Sequence, residues 1–274
     1  MLALTRAVPS SIDQCELTHL EREPIDYARA VREHAAYEDC LRRLDCHVQR
    51  LPELPDHPDS VFVEDTAVVF DRVAVVTRPG AVSRRGEVPS VMAALERHRP
   101  LAYIQPPGTL DGGDVLVTPG VVFVGVSGRT NSEGASQLAT ILAPHGFQVV
   151  PLPVTGCLHL KSAVTALPPL PSEGGRRDAK RPADGGTARP AVLINPDWID
   201  PACFAAFDVI EVDPREPFAA NVLTVGDRVV CAEAHTETRR RLQAHGIPTL
   251  TVPAAELARA EGGLTCCSLL VVTL

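Results

Sequence analysis

Two adjacent cysteines, Cys266 and Cys267, open the apolar run in EGGLTCCSLLV (261–271), where a strand is expected to begin. A thiolate there would be a nucleophile, and a cysteine working with a histidine distant in sequence is a recognised arrangement for covalent catalysis. The histidine to consider is His159 in GCLHLKSAV (156–164), where it and Lys161 fall on one face of an expected strand. Acids complete the set. VFVEDTAVV (61–69) puts Glu64 and Asp65 inside an apolar strand pattern, so at least one must face something other than plain solvent or be costly to bury. TLDGGDVLV (109–117) sets Asp111 and Asp114 astride two glycines, a turn that lets the backbone approach another group closely. Each piece also has a plainer reading. A buried cysteine is a small hydrophobe, a lone histidine is often a satisfied core residue, and DGGD is commonly an ordinary turn. They form a site only if the fold carries them to one place.

A repeat in the chain would do that. LDCHVQRLP (44–52), HGFQVVPLP (145–153) and HGIPTLTVP (245–253) share a turn residue, alternating apolar positions and a closing proline. With Asp45, Gly146 and Gly246 taken as equivalent, the intervals are 101 and 100 residues. DRVAVVTRPGAVSRRGE (71–87) and DRVVCAEAHTETRRR (227–241) echo each other as strand, polar turn and helix start. These read as alternate members of a repeat of about fifty residues, whose units bury their apolar faces only against one another. Within a unit, Val88, Val91, Met92 and Leu95 line one helix face, with Pro89 tolerable in the first turn. VFVEDTAVVF and RVAVVT read as a hairpin, LDGGDVLVT and VVFVGVS repeat it, and ASQLATILAPHG is a helix closed by Gly146. PIDYARAVREHAAYEDCLRRL (24–44) reads as the longest helix. Strand, strand, helix, strand, five times over, predicts an α/β fold in which the whole chain, 1–274, forms one closed ring of units with its site near the central axis. LPPLPSEGGRRDAKRPADGGTARP (167–190) has no apolar period and is expected to be a flexible surface insertion in the fourth unit.

Composition narrows the function classes. The 274 residues are 45% hydrophobic, enough for a sizeable buried core, and 34 acidic against 26 basic residues leave a net charge of −8. That balance argues against nucleic acid or anionic membrane as partner and leaves room for a small cationic ligand. Without a long apolar span or a leader-like start, a cytoplasmic protein is expected. The eight cysteines are dispersed with no CxxC pair, so neither a disulfide framework nor a structural metal site is expected.

FVEDTAVV, TRPG-x-x-SRR, LDGGDVL, SGRTN, LHLKS and LTCCS, in this order, resemble the dimethylarginine dimethylaminohydrolase family of the guanidino-group-modifying superfamily, from about residue 5 to the end. The resemblance implies a five-bladed α/β-propeller, in agreement with the repeat. It implies that Cys266 is the nucleophile, His159 the general acid and base, and Asp111 the carboxylate that orients the histidine. Glu64 and Asp65 would hold a substrate guanidinium, and Asp59, Arg84 and Arg129 the amino-acid end of a methylated arginine. Backbone groups at Leu17 and Ala260 would complete the pocket, Ala260 standing where a larger apolar residue is expected. No metal or organic cofactor is implied, and a monomer or homodimer would suffice. An arginine deiminase, an amidinotransferase or a non-catalytic guanidino-binding propeller remain the other readings.

Overall fold

The computed structural model describes residues 1–170 and 189–272, so most of the expected insertion at 167–190 lies outside the described residues. Among the described residues fifteen short strands form five three-stranded sheets. They are β1 (Leu2–Arg6), β2 (His47–Leu51), β3 (Ala67–Val69), β4 (Ala74–Val76), β5 (Leu101–Tyr103), β6 (Val115–Val117), β7 (Val121–Val126) and β8 (Gln148–Pro153). The rest are β9 (Val164–Leu167), β10 (Ala191–Ile194), β11 (Asp208–Glu211), β12 (Leu223–Val225), β13 (Arg228–Ala232), β14 (Thr249–Val252) and β15 (Leu269–Val271). Every sheet is built alike, with a middle strand antiparallel to one neighbour and parallel to the other. A parallel partner needs a crossover, and a helix supplies it in four of the five blades. These are α1 (Tyr27–Arg43), α2 (Val88–Leu95), α3 (Ser132–Leu142) and α5 (Thr236–Ala244). The fold is a five-bladed α/β-propeller.

The fourth blade departs from the expected helix in every unit. Its crossover is a single 3-10 turn, Pro201–Phe204, because Pro196 and Pro201 leave no run long enough for an α-helix. The three residues equated in the repeat do share a conformation: Asp45, Gly146 and Gly246 all have positive φ, at 59°, 80° and 76°. Each turns the chain out of a helical segment and into the outer, parallel strand of its blade, which is why the three segments look alike in sequence.

Among the described residues the buried apolar side chains form no single central core. They segregate into five clusters, each between one pair of adjacent blades. Val68, Val75 and Val122, Leu138 join the second blade to the third, and Leu160, Ile194 and Leu116, Phe123 join the fourth to the third. The ring closes by chain reversal, with β15 from the C-terminal end pairing antiparallel with β1. Among the described residues no helix is long and apolar enough to cross a membrane.

Candidate active site

In each blade a single turn immediately precedes the inner strand. These turns are Val63–Thr66, Gly112–Asp114, α4 (Leu160–Ala163), Pro217–Ala220 and Thr265–Cys267. Around the axis the first turn packs on the second and the fifth, and the third packs on the second and the fourth. They carry, in order, Glu64 with Asp65, Asp114 beside Asp111, Lys161 beside His159, Asn221 just past the fourth, and Cys266. Three expectations of strand geometry are thereby corrected. Glu64 and Asp65 lie on a 3-10 turn, His159 caps a one-turn helix that contains Lys161, and the two cysteines precede β15 rather than open it. The physical reason is common to all three. Near the axis the strand ends converge, and a tight turn lets consecutive side chains leave in directions that a pleat would forbid.

His159 is 4% exposed. Its Nε2 lies 3.1 Å from Asp111 Oδ2, and its Nδ1 is 3.8 Å from Asp65 Oδ1. Burial alone would push the imidazole down, but Asp65, Asp111 and Asp114 together lift its pKa to about 9, so it is held protonated. Asp65 goes the other way. Burial opposes its ionisation, yet His159, Arg84 and the Gly113 N–H at 2.9 Å hold it below its ordinary value. The glycines of DGGD allow this closeness: a Cβ on Gly113 would sit 2.5 Å from His159 Nδ1, and one on Gly112 would sit 2.0 Å from the Glu64 carbonyl oxygen. Asp114 fixes the helix start behind His159 by accepting from Leu160 N at 2.9 Å. Burial raises Asp114 to about 6.

Cys266 is 8% exposed, and Gly263 N–H donates to its Sγ at 3.4 Å. Burial first, then the charges of Glu64 and Asp65, pushes its thiol up to about 12. Cys267 does not line the cavity; it is fully buried, with Sγ directed at the Gly263 carbonyl. Tyr37 braces the same turn from behind, its hydroxyl donating to Leu264 O at 3.0 Å and meeting Ser268 Oγ at 2.7 Å. Asn221 braces it from the side. Its amide accepts from Thr265 N at 3.0 Å and donates to Lys161 O at 3.2 Å, tying the cysteine turn to the helix that follows His159.

The cavity of about 20 Å³ is lined by Asp59, Asp65, Arg84, Arg129, His159, Ala260 and Cys266 among the expected residues. Glu64, Asp111 and Leu17 are not among its lining residues. Glu64 is held by Lys161 and by the Thr265 hydroxyl at 2.7 Å, and Leu17 packs on the apolar cluster that includes Ala260 and Cys266. Arg84 is more committed than expected. Its Nε and Nη2 donate to Glu87 at 3.0 and 2.8 Å, its Nη1 to Asp65, and Nη2 also to the Phe62 carbonyl at 2.9 Å. Glu16, Phe62, Leu158, Glu261 and Gly262 also line the cavity, and no local pattern singles them out. Glu261 accepts from Thr18, His19 and Leu20 N–H at 3.0, 2.5 and 2.6 Å, so it fastens the segment after Leu17 across the site.

Asp65, Asp111 and His159 offer atoms within 4.8 Å of one another, the spacing of a metal site. Those groups are already engaged with one another, with Arg84, and with Gly80 N, which donates to Asp111 Oδ1 at 2.8 Å. The trio is an acid–imidazole–acid cluster, with the Arg84 cation already beside it.

A thiol near 12 is almost wholly protonated at neutral pH. Alkylation of Cys266 by iodoacetamide should therefore rise about tenfold per pH unit across the neutral and mildly alkaline range without a plateau. Peptide mass spectrometry at Cys266 separates it from the other seven thiols. A plateau near neutrality would reveal a preformed thiolate–imidazolium pair instead.

Residues 53–155 match the arginine deiminase family. Over nearly its whole length the chain is similar to N(G),N(G)-dimethylarginine dimethylaminohydrolases. It is 32% identical to that of Pseudomonas aeruginosa, over 95% of this chain and 94% of the relative, and 37% identical to that of Streptomyces coelicolor, over 97% and 95%. The solved structure of the Pseudomonas aeruginosa enzyme, a cysteine-to-serine mutant complexed with citrulline, superposes with a TM-score of 0.86 at 30% identity, covering 97% of each chain.

Proposed function

The chain belongs to the dimethylarginine dimethylaminohydrolase family, and from that membership and the chemistry of the cavity we infer its reaction. It hydrolyses Nω,Nω-dimethyl-L-arginine, and the monomethyl form, to L-citrulline and dimethylamine or methylamine through a covalent thiouronium on Cys266. The observation that carries this reading is one cavity lined by the Cys266 thiol, the His159 imidazole hydrogen-bonded to Asp111, and the Asp65 carboxylate, with Glu64 held at the cysteine turn by the Thr265 hydroxyl.

A guanidinium is planar and delocalised, and its central carbon is electron-poor. Asp65, backed by Glu64, fixes the plane by charge-assisted hydrogen bonds and leaves the carbon open to Sγ. The incoming cation also reverses the electrostatics that keep Cys266 protonated, since an opposite charge nearby favours the thiolate. His159 already holds a proton, so the thiol proton passes to solvent. Sγ then adds to the carbon. As the C–N bond breaks, its electron pair stays on the amine nitrogen, which takes a proton from His159 Nδ1 while Asp111 holds Nε2. The now neutral His159 accepts a proton from water as that water attacks the thiouronium carbon. The C–S bond breaks with its pair on sulfur, the hydroxyl proton of the adduct passes to that thiolate and restores the Cys266 thiol, citrulline leaves, and His159 is again protonated. Asp59, Arg84 and Arg129, with backbone groups at Leu17 and Ala260, take the amino-acid end.

All the residues in this scheme come from one chain, so the catalytic unit is the single domain 1–274 and a monomer or homodimer serves equally. Free thiols at all eight cysteines suit a reducing cytoplasm. The test is a panel of arginine with its mono- and dimethylated forms, scored for citrulline and for the released amine. Citrulline with equimolar dimethylamine from the dimethylated substrate is expected. Citrulline with ammonia from arginine as the preferred reaction would make the protein a deiminase, and binding without turnover a non-catalytic propeller.

A further inference from the structure

Glu16 lies where the proposed amino-acid subsite would receive the backbone end of its substrate. Its N–H donates to Asp59 Oδ2 at 3.2 Å, and its Oε2 is 3.2 Å from Arg129 Nη2. Its Oε1 accepts from the Ser83 hydroxyl. A bound amino acid would offer an ammonium to Asp59 and a carboxylate to Arg129, so one residue of the chain already presents an N–H and a carboxylate to both partners. Arg129 has no other carboxylate partner among the described residues, and only a long contact at 3.4 Å to the Thr18 hydroxyl. Arg84 cannot stand in for it alone, because Glu87, Asp65 and backbone carbonyls engage all but one of its N–H donors. Glu16 is held in this position by its neighbours on the segment that Glu261 fastens.

We propose that Glu16 is a specificity-determining residue that competes with a substrate's α-carboxylate for Arg129. The inference rests on the amino-acid subsite assigned under the proposed function. A guanidino amino acid with a free carboxylate must displace Glu16. One whose carboxyl is an amide, such as a C-terminally amidated methylarginine, has no charge to seat on Arg129 and leaves the Glu16–Arg129 pair in place. The site therefore tolerates guanidino compounds with a free α-amine and a neutral carboxyl derivative better than an unopposed arginine would.

The test is calorimetric binding of Nω,Nω-dimethyl-L-arginine and of its carboxamide to the Cys266→Ser protein, with and without Glu16→Gln. The substitution is isosteric and lies on a surface segment, and circular dichroism checks the fold. Removing the charge should tighten the carboxylate ligand about fivefold, the size expected of a half-exposed ion pair, and change the carboxamide less than about twofold. Equal changes for both ligands would overturn the proposal, as would weakening of both, which would make Glu16 only a fastener for the segment over the site. Turnover is scored separately with Cys266 intact. Absence of citrulline with the selective affinity change present would overturn the hydrolase reading and leave the role of Glu16 standing. Failure of both ligands to bind would overturn both.

Discussion

Cys266→Ser should lower turnover of dimethylarginine by more than about a thousandfold, while Cys267→Ser keeps it within about threefold of the unaltered protein. A serine hydroxyl at position 266 would be a far weaker nucleophile, since no neutral base lies ready to activate it and His159 is already protonated. The contrast between neighbours follows from the turn Thr265–Cys267. At three residues per turn, consecutive side chains leave about 120° apart, so one thiol faces the cavity and the next faces the interior beside Tyr37. A serine at 267 can keep the hydrogen bond to the Gly263 carbonyl, so its cost should fall on stability through a buried hydroxyl, not on rate. Steady-state kinetics with thermal melting on both variants checks this. Equal losses of activity in folded protein would undo the assignment of the nucleophile.

His159→Gly should trap the covalent intermediate. With an S-alkyl-thiocitrulline, whose leaving thiolate needs no proton, Cys266 can still attack, but the water that would release citrulline has lost its base. Intact-protein mass spectrometry on quenched samples should show one adduct per chain on Cys266, with overall turnover reduced at least about a hundredfold. A structural histidine would give a different result, lowering stability and slowing both steps without accumulation. Folded protein that carries no adduct and consumes no substrate would sink the two-step role. The same variant has a signature in stability. Because the folded pKa of His159 is raised from 6.5 to about 9, its contribution is complete below 6.5 and is lost as pH rises through about 9. The gap in melting temperature between the unaltered protein and the variant should therefore narrow over that interval.

The local rules of the fold were legible in the residues. Asp45, Gly146 and Gly246 marked the same left-handed exit from a helical segment, and the apolar alternation after each marked the outer strand of a blade. The paired glycines of LDGGDVL announced a close backbone approach, and the structure supplies its partners, the Glu64 carbonyl and the His159 ring. Cys266, His159 and the flanking acids were recognisable by chemical type and by their order along the chain. Such features depend on conformational preferences within a few residues, and those the sequence carries directly.

Only the tertiary structure decided what those residues meet. The sequence patterns around Glu64, His159 and Cys266 do not distinguish strand from turn, because a short apolar run has the same composition whether it pleats or turns. The choice is made where five blades converge and leave no room for longer strands. Asn221, which joins the cysteine turn to the histidine helix, has no signature, since its partners lie 44 and 60 residues away. The commitment of Arg84 to Glu87 and Asp65, and the placing of Glu16 on Arg129, depend on where charged side chains from four separate segments settle. A sequence states that the charges exist. Their pairing is settled by burial, because a buried guanidinium must satisfy its donors on whatever acceptors the assembled ring brings within reach.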